Sequence, residues 1–201
     1  MSSQANGSKP VAGAGIFIAL IPWLLFTLLA ERLSVKSAAL IALAAAVVIA
    51  ARGARSGHPK LLELAAVATF IAFSIAAFTV SPDSADWLER YARGIAAGVL
   101  ALIAFGSLLS VPFTEQYARE EVPPEAWGSP RFKAINRQLT LVWACVFAAM
   151  VPSHIVAGAL DTTRGNLIFN WVIPIALVVY GAKRTTAVSQ EAAPPQVATH
   201  A

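Results

Sequence analysis

Six apolar runs separated by short polar stretches set the pattern of this chain: Val11–Ala30, Val35–Ala51, Leu61–Val80, Gly94–Val111, Leu139–Leu160 and Leu167–Ala182. An α-helix rises 1.5 Å per residue, so a hydrocarbon core of about 30 Å takes roughly 20 apolar residues to cross. Each run comes close to that length. The pattern predicts an all-α fold: a polytopic transmembrane helix bundle of six helices over 11–184. Polar tails at 1–10 and 185–201 are expected to be disordered. The first run is long for a signal-peptide core, and Leu28 spoils a small-x-small cleavage site before Ala30, so it is read as a retained helix.

The polar stretches predict the connections. Glu31–Ser34 has room only for a tight turn, which makes the first two helices a hairpin. Arg52–Lys60 is a basic loop rich in Gly and Pro, and Ser81-Pro82-Asp83 carries an N-cap signal with acids in the turn that follows. The longest connection, Pro112–Gln138, holds eight charged residues. Within it Pro112 opens a short helix through Arg119, Pro123-Pro124 stops it, and Ser129-Pro130 is an N-cap and N1 pair for the next. Phe132, Ile135 and Leu139 recur at helical spacing from that start. This predicts an amphipathic elbow at 112–138, lying at headgroup level with Trp127 as its anchor.

Composition excludes the soluble alternative. The 201 residues are 57% hydrophobic and 13% charged, with a mean hydropathy of +0.66. Soluble domains carry about 25% charged residues, and so apolar a chain has too little polar surface to cover a water-facing exterior. The net charge of +4 and pI near 9.6 do not point to nucleic acid, because the basic residues sit in short clusters between apolar runs. They point to topology and to anionic lipid headgroups. One side of the predicted bundle carries Lys9, Arg52, Arg55, Lys60, Arg119, Arg131, Lys133, Arg137, Lys183 and Arg184; the other carries Arg32, Lys36, Arg90, Arg93 and Arg164. Ten against five places both termini in the cytoplasm.

Candidate chemistry is sparse. Cys145 is the only cysteine and lies inside an apolar run, so it is expected to be a packing residue, with no disulfide and no cysteine metal site. No paired His, phosphate-binding Gly loop, nucleophile elbow or close acidic pair marks an enzyme, and no cofactor is implied. His154 alone of three histidines falls within an apolar run, roughly 9 Å inside its end at Leu160. It is expected to be neutral, bonded either to the carbonyl freed by Pro152 or to a neighbouring helix. The alternative makes His154 and Asn170 line a solute or proton path, among helices broken at Pro22, Pro152 and Pro174. Gly94-x-x-x-Gly98 and Gly106-x-x-x-Ser110 predict close helix packing, within the chain or between copies of it.

The order of these features resembles the intracellular septation protein A family of bacterial inner-membrane proteins. The resemblance runs from Ile21-Pro-Trp-Leu-Leu-Phe26 and Ala38-Ala-Leu-Ile-Ala-Leu43 through Leu64–Phe78, Asp83–Trp87 and Gly94–Ser110. Its most specific part is Pro112-Phe113, Trp127, then Lys133-Ala-Ile-Asn-Arg137 running into Leu141-Val-Trp-Ala144 and Phe147. The Pro-rich charged segment around Glu120–Glu125 and the C-terminal tail depart from the family. The resemblance implies a multi-pass inner-membrane protein, non-enzymatic, acting in envelope maintenance or division through membrane lipids, envelope or division proteins, or self-association. Trp127, Phe132, Asn136, Arg137 and Trp143 are then the interaction candidates. A small-solute or proton-coupled transporter or channel subunit is the competing expectation.

Overall fold

The computed structural model describes residues 14–55 and 57–192, and their regular structure is entirely helical. The helices are α1 (Ala14–Leu29), α2 (Val35–Arg55), α3 (Leu61–Thr79), α4 (Pro82–Ser107), α5 (Phe113–Ala118) and α6 (Pro130–Leu160). A last helix, α7, opens with Thr163–Gly165, widens to π-helix over Asn166–Val172 and ends α-helical over Ile173–Ala192. The expected tail at 1–10, and residues 193–201 of the tail expected at 185–201, lie outside the described residues.

Four of these helices, α2, α3, α6 and α7, are long and apolar enough to cross a membrane. Six were expected. The two others fall short for different reasons: the apolar stretch of α1, Gly15–Leu29, is shorter, and the opening turns of α4 carry Asp86, Glu89, Arg90 and Arg93. The outer surface agrees with a lipid solvent, since Leu102, Ile75, Ile175 and Val172 are all more than half exposed. The chain is a membrane protein.

Two groups of helices build the interior. Ala38, Ala39 and Ala42 of α2 are fully buried and let α1 and α3 approach closely. The space beside them is filled by Trp23, Phe26, Phe70 and Phe73, with ring centroids 4.9 to 5.3 Å apart between α1 and α3. The second group centres on α4 and α6. A Cβ on Gly94 would stand 3.4 Å from the His154 Cβ, and one on Gly158 would stand 2.8 Å from the Tyr91 ring. The Gly94/Gly98 pair therefore serves packing within the chain. Gly106 faces open space; its neighbour Ser107 matters instead, donating to the Ala104 carbonyl and accepting the Phe113 N–H at 3.1 Å, which fixes the step from α4 into α5.

The elbow differs from a segment lying on the membrane surface. Ser129 caps α6 by accepting the Phe132 N–H at 3.2 Å, Pro130 occupies its first turn, and the helix runs unbroken from there to Leu160. Phe132 and Ile135 are half-buried and Leu139 is buried, so that apolar face turns into the bundle. The reason lies in α5, whose Thr114 hydroxyl donates to the Asn136 carbonyl at 2.8 Å and meets the Thr140 hydroxyl at 2.8 Å. Past Arg184, where a disordered tail was expected, α7 continues helical to Ala192. Thr185 and Val188 are buried there, and Arg131 donates to the Glu191 carbonyl.

Candidate functional site

The strongest polar feature begins at the short turn after α1. Glu31 accepts a hydrogen bond from Arg93 Nη2 on one oxygen and from Asn166 Nδ2 on the other, both at 2.6 Å. Arg93 also donates through Nη1 to Asn166 Oδ1 at 3.3 Å. Asn166 Oδ1 further accepts Asn170 Nδ2 at 2.7 Å, and Asn170 Oδ1 lies 2.6 Å from His154 Nδ1. Since an amide oxygen only accepts, His154 donates through Nδ1. The result is a chain of charge-assisted and amide hydrogen bonds joining α1, α4, α7 and α6. Both His154 and Asn170 are buried, so each needs these partners.

The π-helical stretch explains how two asparagines of α7 reach inward together. Pro174 has no N–H to give the Asn170 carbonyl, and its ring crowds that carbonyl. The backbone upstream widens, and one carbonyl of the widened turn, Phe169, accepts the Ser153 hydroxyl at 2.6 Å. His154 thus bonds a neighbouring helix, one of the two partners its sequence position allowed. Ser153, Arg93, Glu31 and Asn166 were not singled out in the sequence. The signal was there in Arg93, a charge placed beside the apolar run of α4.

Beside this chain is an open cavity of about 330 Å³, whose lining includes Glu89, Arg90, Arg93, Asp161, Asn166 and Asn170. Arg90 and Asp161 close one wall with an ion pair at 2.9 Å. The cavity reaches Asn170, and His154 is not part of its wall. Below Ser153 and His154 the buried face of α6 is apolar, through Met150, Phe147 and Val146, until the Trp143 indole, which donates to Thr185. Ten positions of helix separate Ser153 from Trp143, about 15 Å at 1.5 Å per residue. Along α6 the polar chain opens at one end only.

The five interaction candidates divide. Trp143 is buried, its indole donating to the Thr185 hydroxyl at 3.0 Å and its ring lying against Gly181. Asn136 is buried too, donating to the Phe132 carbonyl. These two tie α6 to its neighbours and are not a surface for a partner, a correction to the sequence expectation. Arg137 is exposed and donates to the Leu108 carbonyl at 2.9 Å, while Phe132 and Trp127 are half-buried. The Trp127 indole donates to the Val122 carbonyl at 2.9 Å, and the Arg119 guanidinium stands 5.2 Å over its ring. Cys145 lies on the exposed face of α6 and is no interior packing residue.

The opposite end of the bundle from Glu31 has its own polar corner. Lys60 pairs with Glu120 at 2.7 Å, Arg119 with Glu115 at 2.6 Å, and Gln116 accepts the Leu61 N–H at 2.8 Å. Tyr117 is buried between them with its hydroxyl unbonded; burial, with the Glu63 and Glu120 carboxylates nearby, pushes its phenol well above the usual tyrosine range. No group of three or more His, Cys, Asp or Glu able to hold a metal occurs among the described residues. The chain matches no family model, no curated protein and no solved structure.

Proposed function

We propose that the chain is a non-enzymatic integral protein of the bacterial inner membrane, of the intracellular septation protein A type. In this reading it crosses the bilayer six times with both termini in the cytoplasm, and it acts in envelope maintenance or division through contacts with lipids or other proteins. The short α1 and the charged start of α4 are then the two remaining crossings, and the ten-to-five distribution of Lys and Arg sets the orientation. One observation carries the choice of a binding and scaffolding role over a conduit. The polar chain from Glu31 to His154 is spent largely on its own members, and on α6 an apolar layer of about 15 Å, between Ser153 and the Trp143 indole, follows it.

A transport role has its own support in the polar cavity that reaches Asn170, next to a π-helical turn, a kind of irregularity frequent at functional sites. Two measurements separate the roles. A deletion strain is examined for envelope and septation defects, and the purified protein in liposomes is assayed for solute and proton flux. Envelope defects with no flux support the proposal; flux through the liposomes with a normal envelope replaces it with transport.

A further inference from the structure

Where the basic loop before α3 meets α5 and the turn after it, the structure holds a cavity of about 760 Å³. Its lining changes character along one direction. Lys60, Gln116, Arg119 and Glu120 line one part, together with the Trp127 ring, and Leu61, Leu64 and Val111 line another. Leu64 and Val111 are themselves exposed on the lipid-facing surface, at 51% and 37%. Leu64 lies one turn deeper into α3 than Leu61, so the apolar part points into the bilayer and the polar part toward the headgroups. A tryptophan with its N–H held by a backbone carbonyl is at home at that depth.

Among the charged side chains that line the cavity, Lys60 and Arg119 outnumber the one acid, Glu120, which favours an anion. Arg52, Arg55, Lys60 and Arg119 stand here, with Arg52 and Arg55 exposed in the last turn of α2. The carboxylates paired to them are Glu115 and Glu120. Glu63 is turned inward, its oxygen against Gly53, where even a methyl group would collide with it. Lys60 is held with its side chain only 10% exposed, and the Arg119 side chain beside it stays 36% exposed. A part-exposed guanidinium beside a fixed ammonium suits a phosphodiester.

We propose that this cavity binds one anionic phospholipid, its phosphodiester against Arg119 and Lys60 and its acyl chains along Leu61, Leu64 and Val111. The proposal rests on the chain residing in a membrane and is independent of which side the corner faces.

The test is native mass spectrometry of the full chain released from neutral detergent after titration with phosphatidylglycerol or phosphatidylcholine. Phosphatidylglycerol is expected to be retained selectively. Arg119→Gln is expected to lower that retention about fivefold, the effect of one basic residue at a membrane surface. Arg32→Gln, at the other end of the bundle, removes the same charge and is expected to change nothing. Leu64→Trp fills the apolar part while leaving every charge, and is also expected to lower retention, so the proposal stays open to test if the arginine variant fails to fold. Equal retention of the two lipids, equal losses in Arg119→Gln and Arg32→Gln, or full retention in Leu64→Trp each overturns it. Displacement by water-soluble glycerophosphoglycerol at matching concentration overturns it in favour of a free phosphodiester site. A chain that stays monodisperse without detergent would instead remove the membrane reading beneath it.

Discussion

Glu31, Arg93 and Asn166 join three helices through three hydrogen bonds, and a double-mutant cycle measures what that junction contributes. The perturbations are Glu31→Gln, Arg93→Met and the two combined. The Arg93 and Glu31 side chains are 12% and 28% exposed, so the pair is largely shielded from water. Removing one partner of a fully buried ion pair costs about 3–5 kcal/mol, because the other charge stays behind unpaired. Partial exposure here lets water relieve some of that, and each single change is expected to cost about 2–3 kcal/mol. In the double variant no charge is stranded, so its cost should fall short of the sum by about 1–3 kcal/mol. The assay is reversible unfolding in mixed micelles of rising SDS fraction, followed by circular dichroism. Arg90 and Asp161 give an internal comparison, since their side chains are 41% and 67% exposed and their coupling should stay below about 1 kcal/mol. Single costs that simply add, within about 0.5 kcal/mol, would refute the idea that these residues act as one clamp.

Three further outcomes follow from the same structure. His154→Gln keeps a side-chain donor for Asn170 and abolishes titration; it is expected to insert, fold and complement a deletion like the parent, whereas loss of a pH-dependent flux in a folded variant would establish a transport role. Single cysteines on a Cys145-free background should react with an impermeant thiol reagent from outside at positions 86 and 162 and not at 119, and the reverse pattern overturns the orientation. Gly158→Val forces atoms against the Tyr91 ring and Arg90, already 2.8 and 3.1 Å from a built Cβ, and should destabilise by about 1–3 kcal/mol. Tyr91→Leu should restore most of that loss in the double variant.

The helices were legible because the bilayer writes its thickness into the chain as apolar length. Among the described residues each of the six runs lies largely in a helix, and Ser129-Pro130 marks the start of α6 through one side-chain cap. The count of spanning helices was harder, since length and composition treat the charges of α4 as polar surface, although Arg93 turns inward to Glu31. The pairing of His154 with Asn170 could not be read from spacing at all: the residues are on different helices, and the asparagine reaches inward across a π-helical turn. Asn136 and Trp143 misled for a related reason. Polar and amphipathic side chains near a headgroup-level elbow look like a surface, but α5 folds back over Asn136 and α7 supplies a hydroxyl to Trp143.

The Glu31 carboxylate also sets a schedule for making the protein. Its partners are synthesised late: Arg93 follows by 62 residues and Asn166 by 135. At about 5–20 residues per second, the carboxylate waits roughly 3–12 s for the first and 7–27 s for the second. Helices α1 to α3 can meanwhile assemble around their alanines and aromatic rings, leaving an acid at the end of their hairpin with nothing to hold. Arrival of Arg93, and later of Asn166, ends that wait, so the junction tying α1 to α4 and α7 closes only after most of the helical chain has been made.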